Sequence, residues 1–402
     1  MNSKKGKQFS TICAQSGKLS GAIHPHQTPV YATAAFEFDQ LTAGSEAFLS
    51  QPGTHVYSRY GNPTVEAVAQ TIAQLEGIGC GEEAYAVMTG SGMAAIHVVV
   101  QAICRPGDLI LTQADLYGGT TELFVKVFQP FGIQLMFSDF ADAGEIEEIL
   151  QKNPTIKMVY LETPTNPMLN CVDIGLVSEI AKKHGVMVVV DNTFNSPYIT
   201  RPLALGADLV IHSTTKFIHG HGYSTGGAVV GKKKDLILNV IWTFLKLNGS
   251  ILSPFEAMLI QIGLKTLGIR MQAQSNNAMQ LAEYFSSHPK IKAVYYPGLK
   301  THKHYQIAEK QMDCFGAMLS FELDLSLSEI EKLIPKLAIG RIAPSLGETE
   351  TMIMHPASMS HLRMPLDLKQ KYGINEGLIR LSVGLEDIED QLATWESALQ
   401  TI

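Results

Sequence analysis

Two residues in the middle of the chain could do chemistry together because of what precedes each of them. Asp191 closes one apolar run, and Lys216 follows the next one. A carboxylate at the end of a buried strand can hold the pyridine nitrogen of pyridoxal phosphate (PLP) protonated, and a lysine past the next strand can bind that cofactor as a Schiff base. The hydroxyls of Ser213 and Thr215, which precede Lys216, could reach the cofactor's phosphate.

Each member of this pair also has an ordinary structural explanation. An aspartate after a strand often caps a helix or forms a turn, and a lysine beside a strand is usually a solvated charge. The rest of the chain must therefore decide between the two interpretations.

Three further segments fit a PLP site. Gly90 and Gly92 lie between a predicted strand and a predicted helix. N–H groups at the start of a helix can hold a phosphate, although this segment could also be an ordinary connection between the two elements. Tyr117 could stack on a flat ring, although a core tyrosine is the commoner case. Arg59 carries a guanidinium that suits a phosphate.

The elements that must position these residues lie between residues 63 and 254, where short apolar runs alternate with helical patterns. The runs occur at 86–88, 109–111, 133–137, 158–161, 186–190, 209–211 and 228–230. This alternation predicts an α/β fold with a mostly parallel sheet, helices on both faces and ligands at the carboxyl ends of the strands.

The chain on either side of this part shows different patterns. Residues 1–62 have no sustained period and contain loop-forming Pro and Gly residues, which predicts an extended arm. A long helical stretch runs from Phe255 to about His288, and strand-like runs at 318–321 and 379–383 predict a smaller α+β domain. The predicted division is an arm at 1–62, a PLP-binding domain at 63–254 and a C-terminal domain at 255–402.

Composition restricts the expected binding partners and the expected cellular compartment of the protein. Only 17% of the 402 residues are charged, below the roughly 25% of average chains, which predicts surface buried in an oligomer. The net charge of −7 gives no reason to expect nucleic acid or an anionic membrane as partner. Five scattered cysteines predict free thiols, and no run approaches the ~20 residues of a membrane span. We therefore expect a cytoplasmic protein.

Several motifs occur in order along the chain. They are YSRYGNPT at 57–64, SGMAA at 91–95, ETPTNP at 162–167, DNTF at 191–194, STTK at 213–216, YPGL at 296–299 and RLSVGLED at 380–387. With these motifs the chain resembles the transsulfuration family of PLP-dependent enzymes, which includes cystathionine γ-lyase, cystathionine β-lyase and methionine γ-lyase. The resemblance implies the aminotransferase-like fold type I and a homotetramer built from two tight dimers.

The resemblance also implies a role for individual residues. Lys216 would carry PLP, Asp191 would pair with its pyridine nitrogen, and Tyr117 would stack on its ring. The phosphate would be bound by Gly92, Met93, Ser213 and Thr215, together with Tyr57 and Arg59 from the arm of the neighbouring subunit. The substrate's α-carboxylate would be bound by Asn166, Ser345 and Arg380.

The activity implied by the resemblance is that of a carbon–sulfur lyase. Lys216 would remove the Cα proton, and Tyr117 would protonate a departing sulfur. The expected substrates are L-cystathionine, L-methionine and L-cysteine, and the products are a keto acid, ammonia and a thiol, with β- and γ-elimination both open.

Two positions depart from the patterns of particular members. Methionine γ-lyases typically have a cysteine where this chain has Gly119, and cystathionine γ-lyases usually have a glutamate where it has Pro344. The distal part of the pocket is therefore predicted to lack charged side chains and to accept a broad range of substrates. The segments HPASM at 355–359 and YGI at 372–374 resemble methionine γ-lyases instead.

Two alternatives stay open. The same residues could serve a γ-replacement enzyme, an O-acylhomoserine sulfhydrylase or cystathionine γ-synthase. A more remote alternative is a metal-binding protein in which His212, His219 and His221 are ligands, whereas the PLP hypothesis needs no metal.

Overall fold

The computed structural model describes residues 7–17, 25–49, 54–362, 364 and 366–402. The central sheet consists of β1 Tyr85–Thr89, β2 Leu109–Thr112, β3 Gln134–Phe137, β4 Ile156–Glu162, β5 Met187–Asp191, β6 Leu209–Ser213 and β7 Gly227–Gly231. Its strand order is β1-β7-β6-β5-β4-β2-β3. Only β7 runs antiparallel to its neighbours, so the predicted mostly parallel sheet is confirmed.

Several helices precede, separate or follow the strands of this sheet along the chain. They are α1 Phe9–Ala14, α2 Leu41–Leu49, α3 Pro63–Glu76, α4 Gly92–Ile103, α5 Gly118–Leu123, α6 Ala143–Lys152, α7 Ile174–Lys183, α8 Ser196–Ile199 and α9 Trp242–Asn248. Side-chain caps start several of them. Asn62 accepts from the N–H of Thr64 at 3.0 Å ahead of α3, and Ser91 accepts from the N–H of Ala94 at 3.1 Å ahead of α4. Such caps satisfy N–H groups that have no partner inside a helix.

The strands at the centre of the sheet are apolar because both of their faces are covered. Val189 of β5 packs in the cluster that includes Val98 of α4, while Val188 and Val190 pack in the cluster that includes Val177 of α7. A strand places alternate side chains on opposite faces. Asp191 therefore lies on the same face as Val189, the face that α4 covers.

The C-terminal part has a second sheet and its own core. Its elements are α10 Pro254–Leu264, α11 Leu267–Ser287, β8 Ile291–Tyr295, α12 Tyr305–Gln311, β9 Met318–Leu323, α13 Leu327–Leu333, β10 Arg341–Ile342, β11 Met352–Met354, α14 Leu366–Lys371, β12 Leu378–Ser382 and α15 Ile388–Leu399. The strand order is β10-β11-β12-β9-β8. Phe285 stacks on Phe321 with ring centroids 4.4 Å apart, and Trp395 meets both rings edge-on. The predicted α+β character is confirmed.

The predicted single helix from Phe255 to His288 is wrong in one respect, since the structure has two helices there. The first ends at Leu264, and Thr266 leaves the helical conformation with φ −112° and ψ 5°. The carbonyl of Gly263 accepts from Thr266 N–H at 3.2 Å and from Arg270 Nη2 at 3.0 Å. These bonds tighten and end the first helix, and apolar periodicity alone does not reveal them.

The N-terminal 62 residues contain α1 and α2, where the sequence predicted only an extended arm. Helix α1 has just six residues, too few to show a period. Helix α2 exposes its apolar side chains, with Leu41 93% and Leu49 87% exposed, and none of its residues is buried in the part of the chain that the structure describes. Helix α3 begins at Pro63 and α10 at Pro254, and the division into three parts stays a prediction.

Candidate active site

Lys216 lies in the turn that follows β6. Its Nζ donates to Ser345 Oγ at 3.0 Å. Burial lowers the pKa of Lys216, the nearby Arg380 cation lowers it further, and Glu348 opposes both effects. An amine in this setting releases its proton more readily than an ordinary lysine, which suits a nucleophile or a base.

Asp191 ends β5, and its carboxylate is held on both sides. Oδ1 accepts from Thr193 N–H at 3.1 Å, and Oδ2 accepts from Tyr160 OH at 3.2 Å. Desolvation raises the pKa of Asp191, and the hydrogen bonds from Thr193 oppose that rise. A cation beside the carboxylate would favour its ionised form, and a protonated pyridine nitrogen is such a cation.

The start of α4 lies against the end of β6. A Cβ added to Gly92 would lie 2.7 Å from Ser213 Cβ, so only glycine permits this close approach. The first N–H groups of α4, which include those of Gly92 and Met93, thus lie beside the Ser213 hydroxyl. N–H groups at a helix start favour a bound anion. The Thr215 hydroxyl is within hydrogen-bond distance of the backbone N–H of Gly226, at 3.0 Å.

Arg380 on β12 joins the residues predicted to hold a substrate carboxylate. Its Nη1 donates to Asn166 Oδ1 at 2.9 Å, and its Nη2 donates to the Ser345 carbonyl at 3.1 Å. The buried Nε has no hydrogen-bond partner within the described part of the chain. Burial lowers the pKa of Arg380 to about 9, so the group stays cationic at neutral pH. A buried cation with a free donor suits a carboxylate ligand.

Tyr117 precedes α5, and its side chain is 48% exposed. Its backbone N–H donates to Glu162 Oε2 at 2.7 Å. Glu162 also accepts from the backbone N–H of Asn166, and burial raises the pKa of Glu162 well above its ordinary value. This glutamate therefore connects the loop of the predicted stacking residue with the loop of the carboxylate site.

Sequence reasoning missed two carboxylates in the site. Glu162 was noticed only as part of a motif, although a glutamate that ends a buried strand could have signalled a site residue. Glu348 accepts from the Ser345 hydroxyl and is attracted by Lys216, while burial raises its pKa. The site therefore has a carboxylate close to Lys216 that the sequence analysis did not name, while the predicted lack of charge in the distal part of the pocket stays a prediction.

The two predicted arm residues do not reach the others within one chain. Arg59 Nη1 donates to the Lys246 carbonyl at 2.7 Å, and the guanidinium lies 4.9 Å from the ring centroid of Tyr60. No hydrogen bond described for this chain joins Tyr57 or Arg59 to Ser213 or to the start of α4. Their contact with a phosphate in a neighbouring subunit stays a prediction.

The three histidines of the metal-binding alternative have separate partners. His212 Nε2 lies 2.7 Å from Glu76 Oε1, and His221 Nδ1 lies 2.6 Å from the His219 carbonyl. Across the described ranges, no group of three or more His, Cys, Asp or Glu side chains could hold a metal ion. The metal-binding alternative therefore has no ligand set in this part of the chain.

These residues fit PLP. Gly92 lets the start of α4 approach the Ser213 hydroxyl, so backbone N–H groups and that hydroxyl can donate to the phosphate. Asp191 suits the ring nitrogen, and the desolvated amine of Lys216 suits the aldehyde carbon. A mostly parallel sheet with these groups at its strand ends defines a PLP-dependent enzyme of fold type I.

Comparison with known proteins agrees with this class. The family model described as Cys/Met metabolism PLP-dependent enzyme matches residues 10–400. The chain belongs to this family.

Three relatives are similar over nearly their whole length. L-methionine gamma-lyase of Fusobacterium nucleatum subsp. polymorphum is 41% identical, covering 98% of each chain. Cystathionine beta-lyase of Coxiella burnetii is 42% identical, covering 94% of this chain and 96% of the relative. O-succinylhomoserine sulfhydrylase of Pseudomonas aeruginosa is 37% identical, covering 99% and 96%.

A solved structure shows the same fold. Cystathionine gamma-lyase of Lactobacillus plantarum, in complex with L-serine, superposes with a TM-score of 0.90 at 37% identity and covers 98% of this chain and 99% of that one. The predictions of family, fold, cofactor and enzyme class are therefore confirmed. Within the described residues, no helix combines the length and apolar character needed to cross a membrane.

Proposed function

We propose that the protein is a PLP-dependent carbon–sulfur lyase that acts on L-cystathionine and related sulfur amino acids. The observation that carries this proposal is the position of Lys216 Nζ, 3.0 Å from the hydroxyl of Ser345, whose carbonyl accepts from Arg380 at 3.1 Å. A base thus lies next to a cation that can hold an α-carboxylate, so the Cα–H bond of a bound amino acid would lie near the base.

Different residues of the chain then perform the separate steps of the reaction. Arg380 and Asn166 bind the α-carboxylate, and Lys216 removes the Cα proton. When bound, PLP supplies the sink for the electron pair left on Cα, and the Asp191 carboxylate maintains that sink. Tyr117 is half exposed beside the site and can donate a proton to the departing sulfur. Both β- and γ-elimination need these functions.

The neighbourhood of Tyr117 bears on the choice of substrate. A Cβ added to Gly119 would lie 2.5 Å from Tyr117 Cε1 and 3.2 Å from Met93 Sδ, so a cysteine here would displace the tyrosine ring. This supports a substrate range different from that of a dedicated methionine-degrading enzyme. We propose cystathionine as a substrate, with β- and γ-cleavage both possible.

A γ-replacement enzyme is the second candidate, because one similar relative bears the name O-succinylhomoserine sulfhydrylase. It would use the same residues and admit a thiol where the lyase admits water. The site offers Glu348 and Ser345 near Lys216, which are compatible with both reactions.

Product analysis tests the proposal. The purified protein is incubated with L-cystathionine, L-methionine and L-cysteine, and the keto acid is identified. Pyruvate with homocysteine from cystathionine means β-cleavage, and 2-oxobutyrate with cysteine means γ-cleavage. If neither forms while an O-acylhomoserine and a thiol react readily, the replacement enzyme is the correct function.

We further propose a homotetramer made of two dimers, located in the cytoplasm. The arm at residues 1–62 would contact the neighbouring subunit and bring Tyr57 and Arg59 to that subunit's phosphate site. The exposed apolar face of α2, with Phe48 67% exposed, supports burial of the arm against another chain.

A further inference from the structure

A fully buried polar network lies behind Asp191, on the other face of the central sheet. Glu76 ends α3 and His212 lies on β6, and both side chains are 0% exposed. His212 Nε2 lies 2.7 Å from Glu76 Oε1, and Asn192 Nδ2 donates to the same oxygen at 3.0 Å. Asn192 also donates to the carbonyl of Thr200 at 2.8 Å.

This network is costly to bury and touches none of the residues assigned to substrate. Taking a carboxylate and an imidazole out of water is unfavourable unless both find partners. Three of its buried atoms, Glu76 Oε2, His212 Nδ1 and Asn192 Oδ1, have no hydrogen-bond partner among the described residues. An apolar filling would be the simpler way to pack this space, which points to a role for the charges themselves.

The network lies directly against the strand end that carries Asp191. Asn192 follows Asp191 in the chain, and the β5–β6 register pairs Asp191 with Ile211, the residue before His212. The electrostatic influence of His212 lowers the pKa of Asp191 and so opposes the effect of burial. The other charged groups nearby are Glu162 on β4, whose carboxylate repels that of Asp191, and Glu76 on α3.

We propose that Glu76 and His212 are positioning residues that keep Asp191 ionised and thereby keep the pyridine nitrogen of bound PLP protonated. Glu76 contacts His212, and His212 follows the residue paired with Asp191, so a row of alternating charges would run from Glu76 through His212 and Asp191 to the ring nitrogen. In such a row each charge stabilises its neighbours, which matters most where water is excluded. The inference rests on the proposed role of Asp191.

The test uses the full-length protein loaded with PLP that carries ¹⁵N in its ring, because the ¹⁵N chemical shift reports directly whether that nitrogen is protonated. Glu76→Gln removes the negative charge at nearly constant volume. His212→Gln keeps an N–H that Glu76 can accept from but cannot carry a charge. Both variants should lose the protonated signal in part or entirely, while Glu76→Asp should retain it.

A matched control is Glu322→Gln, since Glu322 is also buried and partnered but lies in the C-terminal sheet beside Lys292. It should keep the wild-type shift. Asp191→Asn tests the underlying assignment separately. If that variant keeps a protonated nitrogen, the role proposed for Asp191 is wrong.

If Asp191→Asn loses the protonated signal while folded Glu76→Gln and His212→Gln both retain it, the network proposal is overturned. If only one of the two folds, as judged by far-ultraviolet circular dichroism, that variant decides. Failure of both to fold would assign the network a structural role and would also overturn the proposal.

Discussion

The two ends of the active site differ in how their residues are held. Asp191 and Lys216 stand at the ends of strands whose side chains are buried on both faces, whereas Ser345 and Glu348 lie on the loop between β10 and β11. A shift of the first pair requires movement of a packed sheet, and close-packed interiors resist such movement. A shift of the second pair requires only a change in a loop.

We expect this difference to bear on the choice of reaction. Relatives called lyase and sulfhydrylase match the chain over nearly its whole length. The sheet end carries the residues predicted to hold the cofactor and to act as the base, functions that both reactions would share. The loop end lies outside the strands, so we expect preferences between substrates, or between water and a thiol, to arise there.

The largest effect is expected at the sheet end. Lys216→Ala should abolish covalent attachment of PLP and lower the rate by at least about 10²–10⁴-fold, the usual contribution of a positioned acid or base. Borohydride reduction followed by peptide mapping measures the attachment. The exposed Lys233 provides the control, since Lys233→Ala should behave as wild type. A pyridoxyl group on any lysine other than Lys216 would disprove the assignment.

Arg380→Gln should come next, because it removes a buried cation that has two hydrogen-bond partners. The expected cost is about 2–5 kcal/mol, seen mainly as a rise in KM. The substitution also removes a cation that lowers the pKa of Lys216. That pKa should rise, so the pH midpoint for PLP attachment should move upward. Arg341→Gln on the exposed β10 serves as control, and an unchanged KM for Arg380→Gln would contradict the carboxylate site.

Arg59→Ala should weaken PLP binding by about 1.5–3 kcal/mol, the value of a hydrogen bond to a charged group. Because the arm residues do not reach the phosphate site within one chain, the effect should cross a subunit boundary. At a PLP concentration too low to load Arg59→Ala, mixing that variant with inactive Lys216→Ala under conditions of subunit exchange should restore some activity. A mixed dimer would contain one intact composite site. Failure to complement after exchange is confirmed would count against a shared site.

Glu162→Gln should cost about 1–3 kcal/mol, because glutamine has one oxygen for the two backbone N–H groups of Tyr117 and Asn166. The loss should change the orientation of the ring-stacking loop. The visible circular dichroism of the bound cofactor measures that orientation, and kcat should fall with it. An unchanged spectrum together with unchanged kcat would show that Glu162 does not connect the loop of Tyr117 with the loop of Asn166.

Glu348→Gln should have the smallest effect, since Glu348 is partly exposed and solvent screens its charge. Glu348 raises the pKa of Lys216, so its removal should lower that pKa. The pH midpoint for PLP attachment should move downward, opposite to the shift in Arg380→Gln. The two pH profiles, each measured against wild type, test whether Arg380 and Glu348 act on the pKa of Lys216 in opposite directions. A shift of both midpoints in the same direction would contradict it.

Local patterns were sufficient to predict the central sheet and its strand ends. The apolar run before Asp191 and the run before Ser213 are continuous because both faces of their strands are covered. Residues that follow such runs therefore lie at the carboxyl ends of the strands. The sequence alone therefore predicted the fold class and the cofactor correctly, and it named the lysine–aspartate pair, whose role stays a prediction. It did not reveal α2, because α2 buries none of its residues against the described parts of the chain, and a buried face is what produces an apolar period.

The family resemblance named Asn166, Ser345 and Arg380, but only the tertiary structure shows which distant residues contact one another. Lys216 meets Ser345 across 129 positions, Arg380 meets Asn166 across 214, and His212 meets Glu76 across 136. No local period or spacing encodes such pairs, because they depend on how separate sheets and helices pack. For the same reason, Glu348 was missed beside Lys216. Its carboxylate acquires its role from the elements that surround it and not from the residues beside it in the chain.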